Sequence, residues 1–464
     1  MKRIIFSLLA AVATFAFFFS GTIDLDNLFN YANQEIPSYI TRDNTGSNAL
    51  DDKIATLGRV LFYDKSLSAD NTISCSSCHQ QAFAFSDPAV QSPGVAGVTG
   101  RHSMRLINAR FAEEVHFFWD ERAATLEQQV TQPIQDHIEM GYSGTNGDPD
   151  INDLIDVLSG IDYYQQLFPF AFGDATITEE RLQLALAQFV RSIQSFDSRF
   201  DQGMAQVNND FTAPFPNYST HENHGKDFFL DPPPNGAGCA GCHRPPEFDI
   251  DPLSLNNGVV PTADGSGFDY TNTRSPSLRD VVRSNGATNG PLMHNGAFPT
   301  LLDVVEHYNQ VPNHAGNNNL DPRLLGPNGL PQNLNLSPGQ KDAIASFLRT
   351  LGGFNVYTDE KWSDPFEADG TIEIIGGNLG IYDLAGPEID IDIVPNPTQD
   401  QALISVTPGE YELRLTDSSG RLVYKCSIQD EASLSLGHLS SGTYFVMIES
   451  NSSAKKKSKK LIKN

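Results

Sequence analysis

Apolar residues recur at helical intervals in three stretches of the chain. Ile54, Leu57 and Leu61 share one face after an acidic start at Asp51, which predicts a helix there. Leu182, Leu186, Phe189, Ile193 and Phe196 predict a second over about 179–197. Thr178 is its expected N-cap, and Glu179 and Glu180 suit the first turn of the helix dipole. A third is expected from Ser337, with Pro338 behind it and Gln340 at the capping-box position. Its apolar face is Ile344, Phe347, Leu348 and Leu351. The connections 207–237 and 309–336 are rich in Gly, Pro and Asn, and loops this long are usually functional or wrapped around something. Past about Asn355 the pattern changes. An acidic linker is expected over 357–392. Alternation then takes over, with Tyr411, Leu413 and Leu415 and later Tyr444, Val446 and Ile448. Turn signals at Ser418-Ser419-Gly420 and Ser440-Ser441-Gly442 complete the pattern of a small all-β sandwich over 393–464.

The N-terminus reads differently. Met1-Lys2-Arg3 precedes an apolar run from Ile4 to Phe19, and Ser20-Gly21 supplies small residues near a cleavage point. That is the layout of a secretory signal peptide, expected over 1–21, because the run is short for a span of roughly 20 residues. The mature protein is therefore expected to be soluble and exported. The 464 residues leave room for about two to four domains. A net charge of −26 excludes generic nucleic-acid binding. Of five cysteines, four sit in two identical spacings, which rules out a disulfide scaffold as the main source of stability.

Those spacings carry the chemistry. C-x-x-C-H occurs as Cys75/Cys78/His79 and as Cys239/Cys242/His243. In c-type haem attachment two thiols add across the haem vinyl groups and the adjacent His supplies the proximal iron ligand. A zinc site would need both pairs to converge and would leave the two histidines unexplained. A redox dithiol would expect a parallel βαβ pattern, which is missing. The expected fold class is mainly α, with two cytochrome c-like haem domains, over 45–206 and 207–356, ahead of the β-sandwich. Cys426 reads as a small apolar packing residue of the β module.

Several motifs resemble bacterial di-haem cytochrome c peroxidases and the MauG-type oxidases of the same superfamily. They are Leu57-Gly58-Arg59-x-Leu61-Phe62-x-Asp64, Phe118-Trp119-Asp120-x-Arg122-Ala123-x-x-Leu126-Glu127-x-Gln129, Glu139-Met140-Gly141, Ser275-Pro276-Ser277-Leu278-Arg279-Asp280 and His294-Asn295-Gly296-x-x-x-Thr300-Leu301. The resemblance covers about residues 45–355. It implies two covalent haems, the first peroxidatic with His79 proximal, the second passing electrons. Glu139 matches the distal carboxylate, Gln129 its polar neighbour, and Trp119 the tryptophan between the haems. The loop that carries a blocking His in some members reads Val95-Ala96-Gly97 here. His102 falls where the family tends to have an Asn tied to a calcium site, for which the backbone oxygens of Asn289 and Pro291 are the suspects. The sixth ligand of the second iron falls on Tyr308, as in the MauG-like branch, with His307 and Met293 as neighbours.

The implied activity is hydrogen peroxide reduction, with a small electron-donor protein as partner. The alternatives are oxidation of a protein partner and pure electron transfer. A homodimer is a candidate assembly. The β module resembles a C-terminal type IX secretion sorting domain through Val394-Pro395-Asn396-Pro397-Thr398, Leu415-x-Asp417-x-x-Gly420-Arg421, Leu439-Ser440-x-Gly442-Thr443-Tyr444 and a lysine-rich end. That implies passage through secretion machinery, to the periplasm, the cell surface or the medium.

Overall fold

The computed structural model describes residues 21–113, 116–250, 254–377, 390–417, 421–450 and 456–464. The expected signal peptide, apart from Gly21, lies outside the described residues, as do 378–389 of the expected linker and the turn at 418–420. The described residues up to Gly377 form one compact unit and the later ones another.

The first unit is built on two apolar cores. The first gathers α1 (Asp52–Tyr63), α2 (Cys75–Cys78), α3 (Leu126–Val130), α4 (Ile151–Ser159), α5 (Tyr164–Phe172) and α6 (Glu179–Ser192). Asp51 caps α1 by accepting from the backbone N–H groups of Lys53 and Ile54, which leaves Leu57, Val60, Leu61 and Phe62 to turn inward. α1 crosses α6 very closely. A Cβ on Gly58 would lie 2.0 Å from the Ala185 carbonyl oxygen, so only glycine fits. Phe62 and Phe189 close the crossing with ring centroids 5.1 Å apart.

α6 starts at its Thr178 cap as the sequence predicts but ends at Ser192, short of 197. Asn108 takes over there. Its N–H donates to the Ile193 carbonyl (2.9 Å) and its Oδ1 accepts from the Ser195 N–H (2.8 Å). Phe196 therefore leaves the helix face and packs its ring on Phe111 at 5.2 Å.

The second core gathers α7 (Arg199–Gln206), α8 (Thr220–Leu230), α9 (Leu301–Asn309) and α10 (Pro338–Leu348), with Phe248 entering it from between the short strands β2 (His243–Arg244) and β3 (Asp249–Ile250). It repeats the device of the first. A Cβ on Gly225 of α8 would meet the Ala343 carbonyl oxygen of α10 at 1.9 Å. Ser337 and Gln340 form the expected capping box of α10. Phe248 fills the crossing between Phe229 (5.7 Å) and Phe347 (5.8 Å).

Residues 357–377 differ from the expected linker: they fold back onto the first core. Trp362 is buried. The Tyr31 hydroxyl donates to the Lys361 carbonyl (2.7 Å), the Tyr63 hydroxyl to that of Trp362 (2.6 Å) and Arg59 Nε to that of Ser363 (2.7 Å). β4 (Glu373–Ile375) then pairs in parallel with β1 (Thr22–Asp24). The acidic side chains between these anchors face water, which is why composition alone reads as a spacer.

The second unit holds β5 (Ile391–Val394), β6 (Gln401–Val406), β7 (Tyr411–Asp417), β8 (Leu422–Ile428), β9 (Glu431–Ser435), β10 (Gly442–Ser450) and β11 (Lys456–Lys463). They form two antiparallel sheets, ordered β5-β6-β9 and β11-β10-β7-β8. Ile393, Ile404, Leu413, Leu415, Val446 and Ile448 make its core, and Cys426 packs half-buried at the edge of it. No helix among the described residues is long and apolar enough to cross a membrane.

Replacing Trp362 by Ala is expected to cost the first unit about 3–5 kcal/mol, the usual scale for an emptied aromatic site. Denaturant unfolding of the full chain measures it. A change under about 0.5 kcal/mol would mark 357–377 as a spacer after all.

Candidate functional site

The two C-x-x-C-H motifs adopt similar local settings. Cys75–Cys78 form the single turn of α2, begun by a capping box between Ser74 and Ser77, and the His79 N–H closes on the Cys75 carbonyl (2.9 Å). His79 Nδ1–H donates to the Phe85 carbonyl (3.1 Å), an orientation that keeps Nε2 available to a metal. Cys239 opens a short 3-10 turn, and His243 follows as the first residue of β2. His243 Nδ1 lies 3.2 Å from both the Phe248 and Pro276 carbonyls, and burial pulls its pKa down to about 4. A neutral imidazole with an oriented ring is what an axial iron ligand requires.

Burial pushes the Cys75 and Cys239 thiols up to about 12 and Cys78 to about 11. That is the reverse of the electropositive setting of a redox dithiol or a metal thiolate. Nor do the pairs converge: no three metal-ligating side chains cluster among the described residues.

Cys239, Cys242, His243, Tyr308, Met293 and Trp119 all line one cavity of about 1440 Å³, counting the space at its mouth. Tyr308 enters it from α9, where burial and the nearby Cys242 and Cys239 raise its phenol above the ordinary range. His307 does not line the cavity, because its Nε2 is turned to the Asn257 carbonyl (2.9 Å). Trp119 reaches it with Nε1 donating to the His102 carbonyl (2.7 Å) and its own carbonyl accepting from Arg274 N–H (2.8 Å). Arg105 also lines it, and its buried Nε has no hydrogen-bond partner among the described residues.

Glu139 lines a second, polar cavity of about 590 Å³ with Arg122, Gln132, Pro133, Gln135 and Asp136. Burial raises its carboxyl to about 7, the charge of Asp136 adds to the rise, and Arg122 opposes it. Its charge also acts on Cys78, which sets this carboxyl beside the first motif. The loop Gly94–Gly97 docks on the same segment, with Val95 N–H on the Glu139 carbonyl (3.1 Å) and Ala96 N–H on that of Ile138 (3.2 Å). Gln129 sits half-buried on α3 and is not among the residues lining this cavity. Sequence reasoning missed Arg122 and Asp136 as cavity groups, although both lie within or beside the motifs it quoted.

Comparison with known proteins places these features. Residues 52–209 match the model of the di-haem cytochrome c peroxidase family, and residues 392–464 that of the secretion system C-terminal sorting domain. The methylamine utilization protein MauG of Methylophilus methylotrophus is 30% identical over 274 residues, spanning 56% of this chain and 74% of that one. The chain belongs to the di-haem cytochrome c peroxidase and MauG family. The cytochrome c peroxidase Ccp of Escherichia coli is 31% identical over 54% of this chain and 51% of its own. The solved structure of a MauG-like protein associated with microbial copper homeostasis has 27% identity and a TM-score of 0.56, covering 72% of this chain and 99% of that one.

Family membership implies two c-type haems, and the residues fit them. The first motif offers two thiols that burial keeps neutral, the second offers one at Cys239, each has an oriented imidazole, the cavity at the second motif is mostly apolar, and the orphaned Arg105 nitrogen suits a haem carboxylate. The expected calcium suspects are placed less simply. His102 has both ring nitrogens engaged, Nδ1 with the Ala89 carbonyl (3.0 Å) and Nε2 with Ser86 Oγ (3.3 Å). The Asn289 amide is spent on the Asp280 carbonyl (2.7 Å), the Tyr357 hydroxyl (2.8 Å) and Arg283 (3.0 Å). Pro291 lines the large cavity.

Cys75→Ala/Cys78→Ala should drop the pyridine haemochrome count from two per chain to one. Two haems in that variant would contradict attachment at the first motif.

Proposed function

We propose that the chain is an exported di-haem peroxidase that reduces hydrogen peroxide to water at the first site with electrons entering at the second. One observation carries this reading: Glu139, a carboxyl raised to about 7, lines a polar cavity and lies close enough to the first motif for its charge to act on Cys78. The docked loop at Val95-Ala96-Gly97 brings no His to close the far side of that iron. The first haem, when bound, supplies the iron at which the peroxide O–O bond is split. Glu139 takes the proton from the iron-side oxygen of the peroxide and delivers it to the far oxygen, which leaves as water. Its pKa suits it to both halves of that transfer near neutral pH. Arg122, held by Asp120 (2.8 Å) and lying over the Phe118 ring (3.5 Å), keeps the carboxyl from rising further.

Gln129 is assigned as the polar neighbour of the reacting oxygen. Trp119 is the bridge for electrons, since it lines the cavity at the second motif while hydrogen-bonded to the His102 carbonyl. Tyr308 would hold the second iron together with His243, with Met293 as the rival, because both line the cavity that His243 lines while His307 is turned away. A calcium ion held by the main-chain oxygens of Asn289 and Pro291 would use groups that the side-chain network leaves out. The electron donor is a small redox protein, and the sorting tail hands the chain to type IX machinery, so the work is done outside the cytoplasm. A second reading, oxidation of a protein partner in the manner of MauG, is favoured by Tyr308 in the cavity at the second motif and by the MauG relatives.

Glu139→Gln is expected to keep both haems and to slow peroxide reduction by roughly 100-fold or more. In the unaltered enzyme the rate should rise as pH passes about 7, since the carboxylate form takes the first proton. That limb should vanish in the variant, and near-normal turnover would remove Glu139 from the mechanism. Tyr308→Phe deletes one oxygen and should alter the low-spin ferric EPR signal of the second haem. An unchanged signal would hand the ligand position to Met293.

A further inference from the structure

Asp64 ends α1 and is almost wholly buried. Its Oδ1 accepts from the Ser66 N–H (2.7 Å). Its Oδ2 accepts from two phenols, Tyr163 (2.6 Å) and Tyr164 (2.7 Å). The two rings lie 4.7 Å apart between centroids. Tyr164 is fully buried in the first core, against which Cys75, one of the first motif's thiols, also packs. Tyr163 is half-buried and reaches toward solvent. Burial and the Asp64 charge raise both phenols above their ordinary range, so each stays protonated with its proton aimed at one shared oxygen. A turn cap needs one acceptor. The second oxygen, shared by one buried and one half-buried phenol in the core that carries the first motif, is more than the fold requires, and nothing in the peroxide chemistry above uses it.

We propose that Tyr164, Tyr163 and Asp64 form a redox relay that carries an oxidising equivalent from the first haem site to the protein surface, separately from Trp119 and the second haem. The inference rests on the peroxidase reading, with hydrogen peroxide as the oxidant that removes electrons from the first site. Tyr164 gives one electron to that site and its phenolic proton to Asp64 Oδ2, leaving a neutral tyrosyl radical beside a carboxylic acid. Tyr163 then gives an electron to Tyr164. In the same exchange Oδ2 returns its proton to Tyr164 and takes the proton of Tyr163. The radical now sits at the surface, where a one-electron phenolic reductant supplies an electron. Asp64 returns the proton to Tyr163 and is again a carboxylate. A shared acceptor oxygen makes both proton moves about as short as a hydrogen bond, without separating charge in a buried site.

The test uses the full-length protein with both haems, mixed with hydrogen peroxide and frozen for EPR, with a parallel sample spin-trapped and mapped by peptide mass spectrometry. The expected result is a tyrosyl signal and a trap adduct on Tyr163. Tyr164→Phe should abolish the adduct. Tyr163→Phe should leave a radical that persists at least 10-fold longer, because its exit is gone. Both variants keep the rings, and a haem count of two verifies that they fold. A haem absorption change with peroxide but no tyrosyl signal, or the same signal in the double Phe variant, overturns the relay alone. No haem response to peroxide at all overturns the peroxidase reading and the relay with it.

Discussion

Two bare helix crossings hold the haem-binding unit together. Gly58 lets α1 rest on the backbone of α6 at Ala185, and Gly225 lets α8 rest on α10 at Ala343. Any side chain at either position would push a helix off its partner by more than a close-packed core tolerates. Each crossing fixes where the chain emerges toward its motif. α1 delivers Asp64 and then Cys75, and α8 delivers the turn that ends in Cys239. In both places the proximal His is then oriented by a carbonyl a few residues on, Phe85 in one case and Phe248 in the other.

On this shared plan the two sites diverge in what faces the motif. Within electrostatic reach of the first is a carboxyl poised near neutrality, lining a polar cavity. The second itself lines a mostly apolar cavity that admits Tyr308, Met293 and Trp119. The difference arises from the connections, long and irregular in both halves, that deliver those groups. It is a division of labour set by loops on matching helical scaffolds.

Much of this was legible in the sequence where the signal was local. The caps at Thr178 and Ser337, the paired attachment motifs and the alternating strands of the tail are all short-range patterns, and the structure forms them. What stayed hidden depends on partners distant in sequence. Asn108 ends α6 early from more than eighty residues upstream. Tyr31, Arg59 and Tyr63 fold an acidic stretch some three hundred residues later into the first core, through carbonyl groups that no composition reveals. The shared acceptor at Asp64 joins a helix end to a tyrosine pair about a hundred residues on. Motif matching named Glu139 without revealing the burial that sets its poise or the flanking charges of Asp136 and Arg122 that adjust it.

The central claim is that one chain carries two c-type haems with unlike distal faces, one open to a small oxidant and one closed by a protein ligand. The EPR spectrum of the full-length diferric protein tests it most directly. The account predicts one high-spin ferric signal, converted to low spin by an added small ligand, beside one low-spin signal that the ligand leaves unchanged. Two low-spin signals, both indifferent to the ligand, would contradict it and make the protein an electron carrier.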